Sequence, residues 1–576
     1  MFDRAKNNIS NLFNPQKPSL KQWLKITRVL DLREKIIFYF LVFILIGSLL
    51  GWGVIFYYSK TTAVPNYGGE YIEGTVGQPS HINQIISQSN SADEDLVQLV
   101  YSGLLKYDSQ GKIIPDLAES YEISDDKTLY TFHLKNNITW HDGEQFSAND
   151  VSFTANILGD PAYKSPLRIN WQGITTNVLD DNTITFQIKS PYVGFLNNLT
   201  FGILPKHIWE AVSPEKFSLI DLNLGPIGTG SYKYSSIQKD SSGNIISYKL
   251  AANPNYFAGK PYISKITFNY YADDDAALEA YNSKEVMSIN SISPQKVSAI
   301  KLGQSTATHK FNIPRYFAVF INQTKSAALA NDDVRNALAW ATNRQEIIEH
   351  VLAGSGQPVY SPILRGMLGY SEELDKREFD LEKANKILDD AGWVKGENGI
   401  RSRNGTPLQF SLITTDWPEL AQTAEILKEQ WAKIGADVSV STYSISDIQQ
   451  NYLRPREYDA LLFGQVLGAD PDPYSFWHSS QKRDPGLNLS LFGDSDTDKL
   501  IEDGRVEFDP EKRAQIYFDF QKQLLAETPA VFLYSPAYIY PVNKKVQGID
   551  IENLTAPARI FSDIQHWYIK TKRIKK

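Results

Sequence analysis

Cysteine is absent from all 576 residues. Without a thiol the chain has no disulfide, no thiolate nucleophile and no cysteine-ligated metal. Positive charge is also in deficit. The net charge is −8, so no strongly basic surface is available for nucleic-acid phosphates. Histidine is sparse, and the eight residues are scattered with no His-Glu-x-x-His or comparable ligand spacing. No Gly-x-Ser-x-Gly elbow occurs. The Gly-rich run at 225–232 has no following Gly-Lys-Ser/Thr and opens no helix as GxGxxG, which removes phosphate cradling. The Ser-x-x-Lys strings at Ser213–Lys216 and Ser293–Lys296 each carry Pro after the Ser and lack companion motifs. Short-period repeats and low-complexity tracts are missing too. These absences leave no nucleophile, base or metal constellation. A non-enzyme with no cofactor and no metal is expected.

What is there begins with length. A chain of 576 residues, 42% hydrophobic and 22% charged, is globular and too long for one ordinary core, so at least two lobes are expected. Its one long apolar run is Ile36 to Tyr58, uncharged over 23 residues with aromatics near both ends. At about 1.5 Å per residue it crosses a hydrocarbon layer of about 30 Å. Residues 1–35 hold eight basic side chains, Arg4 and Lys6 to Arg33 and Lys35, against three acids. That excess puts 1–35 in the cytoplasm, 36–58 in the membrane and the rest outside. A cleaved signal peptide competes with this anchor, because 59–64 contains small residues. Residues 59–65 read as a short stalk.

Further along, Asp95–Leu105 reads as a helix and Tyr130, Phe132, Leu134 as an alternating strand. Ala148–Leu158 reads as a helix capped by Ser147. Phe317–Asn322 alternates as a strand, and Asp332–Ile348 is helical with a capping box at Asn343 and Glu346. Phe379–Ala391 is a helix stopped by Gly392. Leu420, Ala424, Leu427, Trp431 and Ile434 form one helical face, ended by Gly435 before strand Val438–Val440. Asp509-Pro510 opens another helix to about Ala526. Strand-like pieces such as Tyr538–Val542 and a basic end, Lys570–Lys576, close the chain.

The stretch Asp459–Ser479 combines an apolar run, a stiff acidic turn and three rings. Ala460–Leu467 reads as a buried strand, with a short helix as the alternative. Asp470-Pro471-Asp472-Pro473 forbids regular structure and pushes each Asp into an extended conformation. Tyr474, Phe476 and Trp477 follow. A pocket wall and a plain surface turn both fit these residues.

Several motifs then stand in order: Gly103-Leu104, Pro115-Asp116-Leu117-Ala118-Glu119, Asp142-Gly143, Ala148-Asn149-Asp150-Val151, Gly225–Tyr232 and Asn253–Phe257. Together with the 459–478 segment they resemble the family 5 solute-binding proteins of ABC transporters, which bind dipeptides, oligopeptides or nickel. The resemblance implies an α/β, two-lobed, type II periplasmic-binding-protein-like fold (a Venus flytrap) behind one transmembrane helix. It implies a first lobe of 66–312, joined again by 536–576, and a second lobe of 313–535. The lack of cysteine rules out the lipid anchor usual in such proteins, which needs an N-terminal Cys.

In peptide-binding members the loop acid takes the ligand's α-amino group, and Asp470 holds that position. A bound peptide would lie as an added strand against backbone groups of Val466, Leu467 and Gly468. The segment at Ser91 would face them, with Trp477 and Tyr443 as candidate walls. One feature departs from the family. Some members place an Arg just upstream to clamp the ligand's carboxylate, and here no Lys or Arg lies between Arg456 and Lys482. The expected function is an extracytoplasmic, monomeric binding protein that delivers oligopeptides to an ABC permease. A neutral oligosaccharide, a metal chelate, or a tethered sensor role are the alternatives.

Overall fold

Two adjacent strands carry the chain between its two lobes, and their placement follows from buried apolar runs. The structure is a computed structural model describing Lys25 and residues 30–87, 90–301 and 303–576. The expected cytoplasmic segment lies almost wholly outside the described residues. The described chain divides into two compact units, Tyr67–Lys570 and the pairing of residues up to Asn66 with Thr571–Lys576.

In the smaller unit, helix α1 spans Leu32–Lys60, capped by Asp31 in a capping box with Glu34. It is longer at both ends than the expected span, because Asp31 supplies a start signal and no Gly or Pro stops it before Lys60. None of its residues is buried. Residues 61–65, expected within the stalk, form strand β1 (Thr61–Asn66) together with Asn66. The C-terminal strand Lys570–Lys575 pairs with it. Arg573 fastens the pair, donating to the Thr61 hydroxyl and carbonyl at 2.8 Å each. The last residues thus join this unit, whereas the sequence had them returning to the first lobe.

The larger unit is built on one sheet. In chain order its elements are β2 (Glu70–Val76), α2 (Ser91–Val100), β3 (Tyr232–Lys239), β4 (Ile245–Ala252), β5 (Lys265–Tyr271), β6 (Ser288–Ile289), β7 (Thr306–Asn312) and β8 (Arg315–Ile321). They continue with β9 (Gln409–Thr415), α3 (Pro418–Ala432), β10 (Asp437–Tyr443), β11 (Ala460–Val466), α4 (Ser495–Val506), α5 (Pro510–Glu527) and β12 (Ala530–Asn543). The strand order is β10-β9-β11-β8-β12-β6-β2-β5-β4-β3, with β7 also on β12. The helix expected over Asp95–Leu105 starts four residues earlier, under an Asn90 cap, and stops at Val100. Beyond it Leu105–Tyr107 is already a strand.

β12 runs unbroken across both lobes. Its first half, Ala530–Tyr534, pairs with β8, and its second half, Ala537–Asn543, pairs with β7. The return crossing is Ile313-Pro314, between β7 and β8. Pro314 and Pro536 interrupt donation at the two crossings, where the ladder would otherwise be continuous. The first lobe's core gathers Trp140, Trp209 and Trp567 with strands β2, β4 and β5. The second lobe's sheet is covered on both faces. Leu462 and Ala460 face the side of Trp431, whereas Leu461 faces that of Phe320 and Trp477. Burial on both faces is why β11 reads as a continuous apolar run.

Candidate functional site

β11 leads directly to the site, and its edge is half open. Along β8 it is paired from Ile321↔Ala460 to Arg315↔Val466. Along β9 it is paired only at Leu412↔Ala460 and Ile413↔Leu461. Beyond Leu461, β8 is its one neighbouring strand among the described residues. Gly464 leaves room for the Phe317 ring, which a Cβ here would meet at 2.7 Å and displace. Val466 is 62% exposed. The Leu467 amide, expected to be free for a ligand, donates instead to Pro314 O at 2.7 Å and ties the loop to the crossing. Gly468 is exposed.

The acidic turn is held from behind by two arginines that the local sequence does not contain. Asp470 forms a bidentate pair with Arg513, Nη1 to Oδ2 and Nη2 to Oδ1, both 2.7 Å. Arg513 rises from the first turn of α5 and is 4% exposed, against 18% for Asp470. Burial works against the Arg513 charge, but the Asp470 pair outweighs it and holds the guanidinium well above its ordinary value. Its Nε donates to Gly504 O at 2.7 Å and its Nη2 to the Tyr517 hydroxyl at 2.9 Å. The carboxylate expected to await a ligand's ammonium therefore already has a cation.

Asp472 accepts from Arg505 Nε at 3.0 Å and from the Tyr192 hydroxyl of the first lobe at 3.2 Å. The Arg505 guanidinium lies 4.6 Å from the Tyr192 ring and 4.2 Å from the Tyr474 ring. These contacts bring the two lobes together at the turn. Trp477, expected as a wall, is buried in the core, with ring centroids 6.2 Å from Phe320 and 5.8 Å from Phe532. Its apolar face is used for packing behind the loop rather than in a pocket. Tyr443 stacks on Tyr452 at 4.7 Å. Ser91 is exposed at the start of α2.

A cavity of about 440 Å³ lies between the lobes at the crossings. Asn312–Pro314 and Ser535 form its floor, and Ala469 reaches it from the acidic loop. Gln110, Gly111 and Asn553–Thr555 line it from the first lobe. The second lobe contributes Tyr360, Leu364, Arg365, Met367, Tyr370 and Lys376, a segment the sequence reading passed over. Its size falls within the usual range of about 300–1,000 Å³ for ligand sites. A second cavity of about 170 Å³ lies within the first lobe, beside Glu94, Asp116 and Arg559. Burial pushes the Glu94 carboxyl up to about 7 and that of Asp116 up to about 6. Burial also lowers the Arg559 guanidinium, with Tyr107, Asp116 and Glu94 opposing it. Among the described residues no group of three or more His, Asp or Glu could hold a metal ion.

Comparison with known proteins agrees with this architecture. The family model for bacterial extracellular solute-binding proteins, family 5 Middle, matches residues 112–486. The oligopeptide-binding protein AppA of Bacillus subtilis is 28% identical over 519 residues, covering 88% of this chain and 93% of AppA. The structure of AppA in complex with a nonapeptide superposes with a TM-score of 0.72 at 26% identity, covering 88% of this chain and 100% of that one. NikZ from Campylobacter jejuni, solved with Ni(L-His), gives 0.74 at 25% identity over 87% of this chain and 99% of its own. With more than half its length matched to the family model and its lobes joined by paired crossings, the chain belongs to the family 5 bacterial extracellular solute-binding proteins.

Proposed function

We propose that this protein is the substrate-binding component of an ABC importer, capturing oligopeptides between its lobes and presenting them to the permease. The observation that carries the reading is the inter-lobe cavity of about 440 Å³ at the crossings, which Ala469 reaches from the loop that follows the half-open strand β11. An unpaired strand edge offers backbone donors and acceptors in a row, which suits peptides of varied sequence held by their main chains. Similarity to AppA, whose structure contains a nonapeptide, supports the same ligand class. Val466 and Gly468 supply exposed backbone, and Leu467 fixes the loop to the crossing. Asp470, paired with Arg513, sets the position of the turn and the sign of charge around it. Lobes 66–312 with the returning segment from 536, and 313–535, close about the paired crossings at Ile313-Pro314 and Ser535-Pro536. Ligand contacts on both lobes favour the closed state. The protein acts without catalysis, as a monomer, held outside the cytoplasm by α1.

A metal chelate is the second reading, prompted by NikZ and its Ni(L-His). Mass spectrometry of ligand released from the purified full-length protein decides between them. Peptides are expected, and their binding is to be reproduced by calorimetry with synthetic copies. Recovery of a saccharide or a nickel chelate in their place overturns the peptide reading.

A further inference from the structure

The smaller unit gathers positive charge where α1 ends. In the C-terminal segment Lys570, Lys572, Arg573, Lys575 and Lys576 are basic. No acid follows Asp563, and none stands between Glu34 and Glu70, an interval that holds most of α1 and all of β1. Pairing of the C-terminal strand with β1 therefore adds these cations to Lys60 and brings no counter-charge. Lys60, Lys572, Lys575 and Lys576 are exposed. Among the described residues none of these basic groups enters an ion pair.

Their position along α1 is fixed by contacts within the same compact unit. The Lys576 amide donates to Lys60 O at 2.9 Å. Arg573 Nη2 donates to Tyr58 O at 3.3 Å, and the guanidinium lies 4.1 Å from the Tyr58 ring and 5.9 Å from the Tyr57 ring. Tyr57 and Tyr58 stand at the aromatic end of the span, where such rings sit at the depth of the lipid headgroups. Arg573 shares that depth, and Lys575 and Lys576 lie beside the last turn of the helix. Charge placed there is within a Debye length, about 10 Å at 0.1 M salt, of the lipid phosphates.

The cluster is assembled late. Arg573 and Thr61 are 512 residues apart, and the orientation of a span is set by charges close to it in sequence, so 1–35 keeps its cytoplasmic placement. Once assembled, like charges crowd one small surface and repel. An acidic lipid surface relieves that repulsion, and each basic residue near it favours association by roughly fivefold.

We propose that the C-terminal strand, together with Lys60, is a docking surface for anionic phospholipid headgroups of the leaflet in which α1 ends. This rests on α1 remaining in the membrane. The patch fastens β1 and the C-terminal strand to the bilayer surface and makes the protein select acidic lipid.

Native mass spectrometry of the full-length protein tests it, after equilibration in detergent with equal amounts of phosphatidylcholine and phosphatidylglycerol. The wild type is expected to retain phosphatidylglycerol in excess. Lys572→Gln, Lys575→Gln and Lys576→Gln combined are expected to lower the retained ratio of phosphatidylglycerol to phosphatidylcholine roughly tenfold or more. The same three positions changed to Arg keep the charge and are expected to keep the excess. Lys395→Gln, Lys433→Gln and Lys522→Gln, exposed on the second lobe, remove equal charge and are expected to leave the ratio unchanged. Unchanged melting temperatures verify that the variants are folded. Equal ratios for the wild type and the first Gln variant, with α1 intact, overturn lipid docking in favour of an acidic protein face and leave the anchor reading standing. Displacement of the phosphatidylglycerol by inorganic phosphate at constant ionic strength assigns the patch to a free anion and overturns it as well. Recovery of wild-type protein that lacks residues 32–60 ends both readings.

Discussion

Glu73 is fully buried on β2, and three hydroxyls, those of Tyr71, Ser288 and Tyr540, converge on its Oε2. Among the described residues its Oε1 has no hydrogen-bond partner and no basic side chain is recorded acting on it. Burial pushes this carboxyl from 4.5 up to about 7. Between those pH values the folded chain holds a proton that the unfolded chain has released. The associated stability is complete below pH 4.5 and is lost as pH rises through about 7. At about 1.4 kcal/mol per pKa unit, the rise from 4.5 to about 7 makes the loss at pH 8 on the order of 3–4 kcal/mol. Glu73→Gln keeps the shape and removes the titration. It should raise the melting temperature at pH 8, with the gain shrinking to nothing near pH 4.5. A gain that does not vary with pH would mean that Glu73 is charged in the folded protein. Burial also explains why Arg513 was missed in the sequence. Arg513, Tyr517, Phe520 and Leu524 share one face of α5, and all are buried. An arginine on a core-facing stripe implies a carboxylate partner, but no spacing in the sequence says that the partner is Asp470, 43 residues earlier.

At the scale of elements, helices and strands marked by caps and periodicity were legible. Ser147, Asn343 and Asp509 cap the helices they were expected to cap, and Gly435 follows α3 with φ +83°. The exceptions came where tertiary pairing decided. Residues 61–66 become a strand only because the distant C-terminus pairs with them. The motif-rich 99–154 stretch signalled the fold, whereas the site draws on elements with no motif, such as the 192–200 turn and α4. Those two elements meet through Arg505, whose side chain bridges Tyr192 of one lobe and Tyr474 of the other. The hydrogen bond from Tyr192 to Asp472 adds a polar closure to the same contact. Because it joins the lobes, this contact favours the closed state whichever ligand is bound. Tyr192→Phe removes one hydrogen bond and leaves the ring in place. Ligand dissociation should become roughly threefold to tenfold faster, with little change in association. Stopped-flow release of a labelled peptide measures it, and an unchanged release rate would exclude a latch at this position.

For the whole molecule the decisive question is what α1 does. Its 29 residues extend about 43 Å at 1.5 Å per residue, more than a hydrocarbon layer of about 30 Å requires. None of its side chains is buried within the protein, and by length and composition it is a helix able to cross a membrane. A signal sequence meets the same description, and the two differ in what remains afterwards. Aromatic side chains Trp52, Phe56, Tyr57 and Tyr58 crowd the C-terminal end, where an interfacial belt is expected. Arg573 then lies over the Tyr58 ring at 4.1 Å, and the Lys576 amide donates to Lys60 O at 2.9 Å. A cut after Lys60 would remove these two contacts, whereas an uncut helix keeps them. The protein should therefore remain in the membrane fraction after alkaline carbonate washing, and peptide mapping should recover residues 32–60 from it. Replacing Ile44 and Leu45 together with Arg costs about 2.5–3.5 kcal/mol per site on insertion scales and should release the protein from membranes. Recovery of a soluble wild-type protein that lacks residues 32–60 would identify α1 as a cleaved signal and end the anchor reading.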